Sequence, residues 1–210
     1  MEIREEHREW ATVHRMRQML SDVRGEFEVT HTYSLFGSIL CWTMQGLRPD
    51  DHERGKVSDA LRDCAKEIEQ QPMSRFLQVQ PREINIDAIG DCGGANKLPL
   101  NSFHDFHDLR TGKQFNAFRC LKALRNAVGH GDAKRVAPVN RGNQLIAYTF
   151  ACTEAHPTDS GNWVEKWSGR VRLDRRGMAN IGSELASQYC NAISAGYPGL
   201  EKEAQTILER

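Results

Sequence analysis

Residues 115–131 read Phe-Asn-Ala-Phe-Arg-Cys-Leu-Lys-Ala-Leu-Arg-Asn-Ala-Val-Gly-His-Gly, and this stretch decides the class of fold. Ala117, Leu121, Leu124 and Val128 recur at steps of three and four, which predicts an amphipathic helix over 115–129. Gly129 and Gly131 supply its stop. The same period runs through the first third of the chain. Trp10, Val13, Met16, Leu20 and Val23 predict a helix over 3–24, ending at Gly25. Tyr33, Phe36, Ile39, Leu40 and Met44 make 27–45 apolar on several faces, as in a buried central helix. Gly46 stops it, Pro49-Asp50-Asp51 starts afresh, and Val57, Leu61, Cys64, Ala65 and Ile68 mark a third helix.

Between these helices lies a stretch without a period. Pro81, Gly90, Gly93, Gly94 and Pro99 break 72–112 into an irregular insertion with room for one helical turn. After residue 130 the period changes to two. Residues 144–152 (QLIAYTFAC) and 163–173 (WVEKWSGRVRL) alternate and are rich in aromatic and β-branched side chains. A polar segment, 154–162, joins them, so 144–173 reads as one β-hairpin with a long loop. Met178, Ile181, Leu185 and Tyr189 return to the helical period, and 196–199 (GYPG) separates this helix from a short last one. The expected class is mainly α: a helical bundle with one β-hairpin inserted before the C-terminal helices.

Composition sets outer limits. At 210 residues, with 39% hydrophobic and 27% charged residues, the chain suits one globular domain and excludes collagen or a wholly disordered polymer. Its 28 basic and 28 acidic residues cancel, so there is no global field for gripping duplex nucleic acid, and any such site must be local. The charged N-terminus lacks an apolar signal core, and no run is long enough to span a membrane. Six scattered cysteines without a CxxC pair suit reduced thiols, which points to the cytoplasm.

The chemistry concentrates in Leu124-Arg125-Asn126-Ala127-Val128-Gly129-His130-Gly131-Asp132. Arginine keeps its charge and grips phosphate with two parallel donors. A histidine side chain titrates near neutrality and is suited to moving protons. Asn126 can orient the imidazole or touch phosphate. In a straight helix Arg125 and His130 lie about 140° apart. The two glycines are therefore expected to let the chain leave the helix around His130, bringing the imidazole back toward Arg125. A bland reading stands beside this one: the two residues cap a helix end and pair with a carboxylate such as Asp132.

This segment resembles the Arg-x4-6-His motif of the HEPN superfamily in its Arg-Asn-x3-His-Gly form. Arg8 to His14 and Arg24 to His31 meet the bare spacing too, but only Arg125 has Asn after it, Gly after its His, and a helix end. The flank Phe118-x2-Leu121-x2-Leu124, the segment EVTHTYSLFGSIL at 28–40, and the strand after Pro138-Val139-Asn140 are similar to a plasmid-borne bacterial branch of these nucleases. Gly129 departs from the small helix formers frequent there and weakens the last turn by roughly 1 kcal/mol.

The resemblance implies one HEPN-like domain over 1–210, a metal-independent endoribonuclease without cofactor. Arg125, Asn126 and His130 would form its catalytic group, with Lys122, Lys134, Arg135 and Arg141 as an RNA-binding rim. It implies 2′-hydroxyl attack on the adjacent phosphate, leaving 2′,3′-cyclic phosphate and 5′-hydroxyl ends. It also implies a homodimer with a composite site, acting on single-stranded or loop RNA as a bacterial toxin or defence effector. Its partners would be RNA and an antitoxin or nucleotidyltransferase. The alternative within the resemblance is a non-catalytic module that binds RNA or a partner protein.

Other segments invite weaker readings. Arg170 and Arg172 alternate on the second hairpin strand and can track an RNA backbone, although a solvated strand face is the commoner use. Trp163 and Trp167 suit base stacking or, more ordinarily, packing of the hairpin. His104 and Asp108 of HDFHD would be neighbours on a helix, but no distant ligand completes a metal site. Gly90-Asp91-Cys92-Gly93-Gly94 lacks the Lys-Ser/Thr of a P-loop and reads as a turn.

Overall fold

The computed structural model describes residues 8–48, 56–78, 99–104, 106, 112–130, 134–157, 161–197 and 200. Ten elements follow in order: α1 (Arg8–Ser21), α2 (Glu28–Gly46), α3 (Lys56–Glu69), α4 (Met73–Leu77), β1 (Ser102–His104), α5 (Ala117–His130), β2 (Val136–Arg141), β3 (Gln144–Pro157), β4 (Trp163–Asp174) and α6 (Arg175–Gly196). The described chain is mainly helical with one small antiparallel sheet. Among the described residues no helix is long and apolar enough to cross a membrane.

α6 organises the helices. The Asp174 carboxylate accepts from the Gly177 N–H at 2.8 Å and so caps its first turn. Met178, Ile181, Leu185, Tyr189 and Ile193 then bury one long stripe. α1, α2, α3 and α4 all pack against it. Gly182 lies under Leu20 of α1 and Phe36 and Ile39 of α2. Gly46 ends α2 against the Tyr189 ring, leaving no room for a Cβ. The Tyr189 hydroxyl donates to the Glu9 carboxylate, tying α6 to α1.

α2 is less enclosed than its composition predicts. Phe36, Ile39, Leu40 and Met44 are buried, but Ser34, Ser38, Trp42 and Gln45 form an exposed stripe. The Ser34 and Ser38 hydroxyls turn back to carbonyls four residues earlier, so the stripe costs no unmet donors. The expected helix buried on all sides is thus an amphipathic one.

The expected single hairpin is the centre of a larger sheet. Its strand order is β1-β4-β3-β2, and every pairing is antiparallel. β3 and β4 pair with Phe150 opposite Val171, as the alternation predicts, but they continue to Pro157 and Trp163 where a polar loop was expected. β2 joins through the tight turn at Gly142, which holds φ +58, a value glycine adopts at no steric cost. β1 comes from the irregular region, pairing Phe103 with Val171. His104 is therefore in a strand and not on the helix that HDFHD suggested. Asp105, His107 and Asp108 lie outside the described residues, as do Gly90–Gly94 and the short last helix beyond residue 200.

One sheet face meets the helices. Phe150 packs on Phe36, and Tyr148 stacks on Tyr33 with ring centroids 4.3 Å apart. Trp167 is buried against Phe106 and Phe115, so this tryptophan packs the sheet instead of stacking bases. The Trp163 side chain lies outside the description.

Candidate functional site on the fifth helix

α5 begins where the Asn116 side chain accepts from the Arg119 N–H at 2.9 Å. Cys120, Leu121, Ala123, Leu124 and Ala127 are all buried, giving the helix a wide apolar face. Arg119 anchors it to β3 through a two-pronged ion pair with Glu154, the shorter contact being 2.9 Å. Its guanidinium also lies 3.7 Å from the Phe115 ring centroid. On the other side α5 approaches α2 closely, because a Cβ on Gly37 would stand only 3.1 Å from Val128.

That close approach sets the surroundings of Arg125. The side chain is half-buried, and its Nε has no hydrogen-bond partner among the described residues. Burial pushes the guanidinium pKa down, the neighbouring Arg48 cation pushes it further, and Cys41 opposes both weakly. No described carboxylate contributes. Two guanidiniums held near each other with a buried unmet donor make a place that favours an anion.

His130 is exposed and is the last residue of α5. The helix therefore runs through Gly129 and includes His130, and residues 131–133, where the chain was also expected to leave it, lie outside the described residues. With helical geometry kept, the Cα atoms of Arg125 and His130 stand about 8–9 Å apart and about 140° around the axis. Asn126, half-buried, is one turn before His130 on its own row, and Lys122 is one turn earlier still. Lys122, Asn126 and His130 thus form one line along the helix, with Arg125 beside it toward α2. Gly131, Asp132 and Ala133 are not described, so the bland pairing with Asp132 falls outside the described residues.

The remaining rim residues divide. Lys134 and Arg135 follow the motif directly, Lys134 exposed and Arg135 donating from Nη1 to the Thr153 hydroxyl at 3.3 Å. Arg141 sits at the opposite end of β2, about 20 Å along the strand from Arg135. Lys122, Lys134 and Arg135 therefore neighbour the motif in the chain, and Arg141 is carried away from it.

α2 contributes residues the motif could not announce. Cys41 is half-buried. Burial raises its thiol pKa, and the Arg125 cation lowers it in part. Beside it, a groove of about 900 Å³ is lined by Arg8, Glu9, Ser38, Cys41, Trp42 and Gln45. The only sequence signal for this face was the polar row of Ser34, Ser38 and Gln45 at helical spacing. No cluster of three metal-binding side chains occurs among the described residues. No protein-family model, no curated protein and no solved structure matches the chain.

Proposed function

We propose that this chain is a metal-independent endoribonuclease of the HEPN type, acting as a homodimer on single-stranded or loop RNA in a toxin or defence setting. The observation that carries the proposal is Arg125: a half-buried guanidinium with an unmet Nε, a second cation beside it and no described carboxylate among the causes of its shift. An RNA phosphate is the ligand that such a group lacks. His130, exposed one turn beyond Asn126, is accessible to a substrate that reaches the end of α5.

The chemistry follows from these roles. The ribose 2′-hydroxyl gives up its proton and attacks the adjacent phosphorus. The bond to the 5′ oxygen breaks, and that oxygen takes a proton as it leaves. Arg125 stabilises the extra negative charge of the five-coordinate phosphorus. His130 transfers one of the two protons, and the His130 of a second copy transfers the other when two motifs face a shared cleft. DNA lacks the nucleophile and resists this route.

One observation favours the alternative, a module that binds RNA or a partner without cutting. α5 stays helical through His130, which keeps the imidazole on a different side of the helix from Arg125.

Cleavage of diverse RNAs in EDTA, with product ends mapped, decides between them. The wild type is expected to leave 2′,3′-cyclic phosphates. His130→Ala and Arg125→Ala are each expected to lose about 10²–10⁴-fold in rate while staying folded and dimeric. Wild-type protein that cuts nothing, or variants that cut as well as it does, would move the function to the binding module.

A further inference from the structure

The exposed stripe of α2 runs beside the motif and borders a cavity that the proposed cleavage leaves unused. By helical geometry Gly37, Cys41 and Arg48 fall within about 40° of one another around the axis. That edge meets α5: Gly37 stands under Val128, and Cys41 and Arg48 both act on the Arg125 guanidinium. Trp42 lies about 100° further round, with Ser38 and Gln45 between the two edges. The groove of about 900 Å³ occupies this interval and is walled by Arg8 and Glu9 of α1. Cys41 both lines the groove and neighbours Arg125, so cavity and motif are continuous.

The lining has the chemistry that recognises a nucleobase. Trp42 is 43% exposed, and an indole face in water is a stacking platform that any base can cover. The exposed Gln45 amide both donates and accepts. The Ser38 hydroxyl donates to the Ser34 carbonyl at 2.8 Å and keeps its capacity to accept. Among the described lining residues Glu9 is the one carboxylate, and it accepts from the Tyr189 hydroxyl. Across the stripe stand Arg48 and Arg125, the latter with its unmet Nε. On a helix of ordinary girth the two edges are about 8 Å apart, a gap that one nucleotide spans from phosphate to base. A planar apolar face, an edge-reading amide and paired cations at that spacing favour a nucleotide over a peptide.

We propose that the groove between α1 and α2 is a base-binding subsite, in which Trp42 stacks on the base of a single-stranded RNA nucleotide, Gln45 hydrogen-bonds to its edge, and its phosphate lies at Arg125 and Arg48. The proposal rests on the ribonuclease reading for the phosphate at Arg125, but its binding step stands without cleavage.

The test uses full-length His130→Ala protein as parent, which removes cleavage. Two fluorescein-labelled probes of equal length are compared: a short mixed-sequence RNA and the same ribose-phosphate chain without bases. Anisotropy titrations are run across a series of salt concentrations. The parent is expected to bind the RNA about tenfold more tightly than the abasic chain. Trp42→Ala removes most of that preference and leaves the log–log salt slope unchanged, since the phosphate contacts stay. Arg125→Ala instead flattens the slope by about 0.7 for both probes. Trp42→Phe keeps a stacking face and most of the preference, which guards against a folding defect. Unlabelled RNA quenches the tryptophan emission of the parent, and Trp42→Phe loses that quenching. Equal binding of both probes by the parent, binding of neither, or a preference that survives in Trp42→Ala overturns the subsite. A dimer that Trp42→Ala turns into a monomer in sedimentation assigns the face to a second copy instead. Loss of the preference in Trp42→Ala, with no cleavage by the wild type, keeps the subsite and removes the nuclease. Cleavage by the wild type, with a preference that Trp42→Ala leaves intact, does the reverse.

Discussion

The Arg125 guanidinium and the Cys41 thiol act on each other's titration, and this gives a local probe of the site. Burial disfavours the Cys41 thiolate and raises its pKa, while the nearby cation favours the thiolate and lowers it. Removing the cation therefore raises the pKa further and leaves less thiolate at pH 8. The thiols of Cys64 and Cys120 are pushed up to about 12 by burial, so they hold almost no thiolate there. Iodoacetamide at pH 8, followed by peptide mass spectrometry, is expected to label Cys41 ahead of Cys64 and Cys120 and to label it more slowly in Arg125→Ala. A Cys41 rate indifferent to Arg125 would place the guanidinium elsewhere. At this scale Arg125, Asn126 and His130 could be named as candidates from the sequence, because the proposal rests on their residue type and spacing. Cys41 and Arg48 could not, because only the packing of α2 on α5 brings them to Arg125.

The end of α5 shows where local signals lose to packing. A glycine weakens a helix by roughly 1 kcal/mol relative to alanine, which suggested a stop at Gly129. Leu121, Leu124 and Ala127, all buried, hold the preceding turns. Burial of one such leucine contributes about 1.5–3 kcal/mol, so the glycine alone does not end the helix. Space around Gly129 is open, and a Cβ there meets nothing within 4 Å. Gly129→Ala is therefore expected to stabilise the protein by about 0.5–1 kcal/mol, read from urea unfolding at unchanged m-value. A fall in stability would show that residue 129 needs a conformation outside the helix, and would place the unwinding before His130. The helices themselves were legible within a few residues because their apolar stripes are long. The exposed face of α2 was missed because Tyr33, Phe36, Ile39 and Leu40 outweighed the serines between them.

At the scale of the molecule, distance along the chain hid what periodicity could not show. β3 and β4 are long and adjacent in sequence, so their pairing was plain. β1 has three residues and pairs with Arg170–Arg172, so no local pattern announced it. The dimer proposed for the nuclease is a property of the same scale, and mixing tests it. If two motifs serve one cleft, a subunit carrying His130→Ala disables every dimer it enters. Wild type and His130→Ala mixed equally, after exchange of subunits, give about one dimer in four with two intact motifs. Cleavage is then expected near a quarter of the unmixed rate at the same total protein. Self-contained sites would keep about half, since each wild-type subunit would work regardless of its partner. A plot of rate against wild-type fraction separates the two, because a shared cleft curves it as a square and independent sites leave it straight.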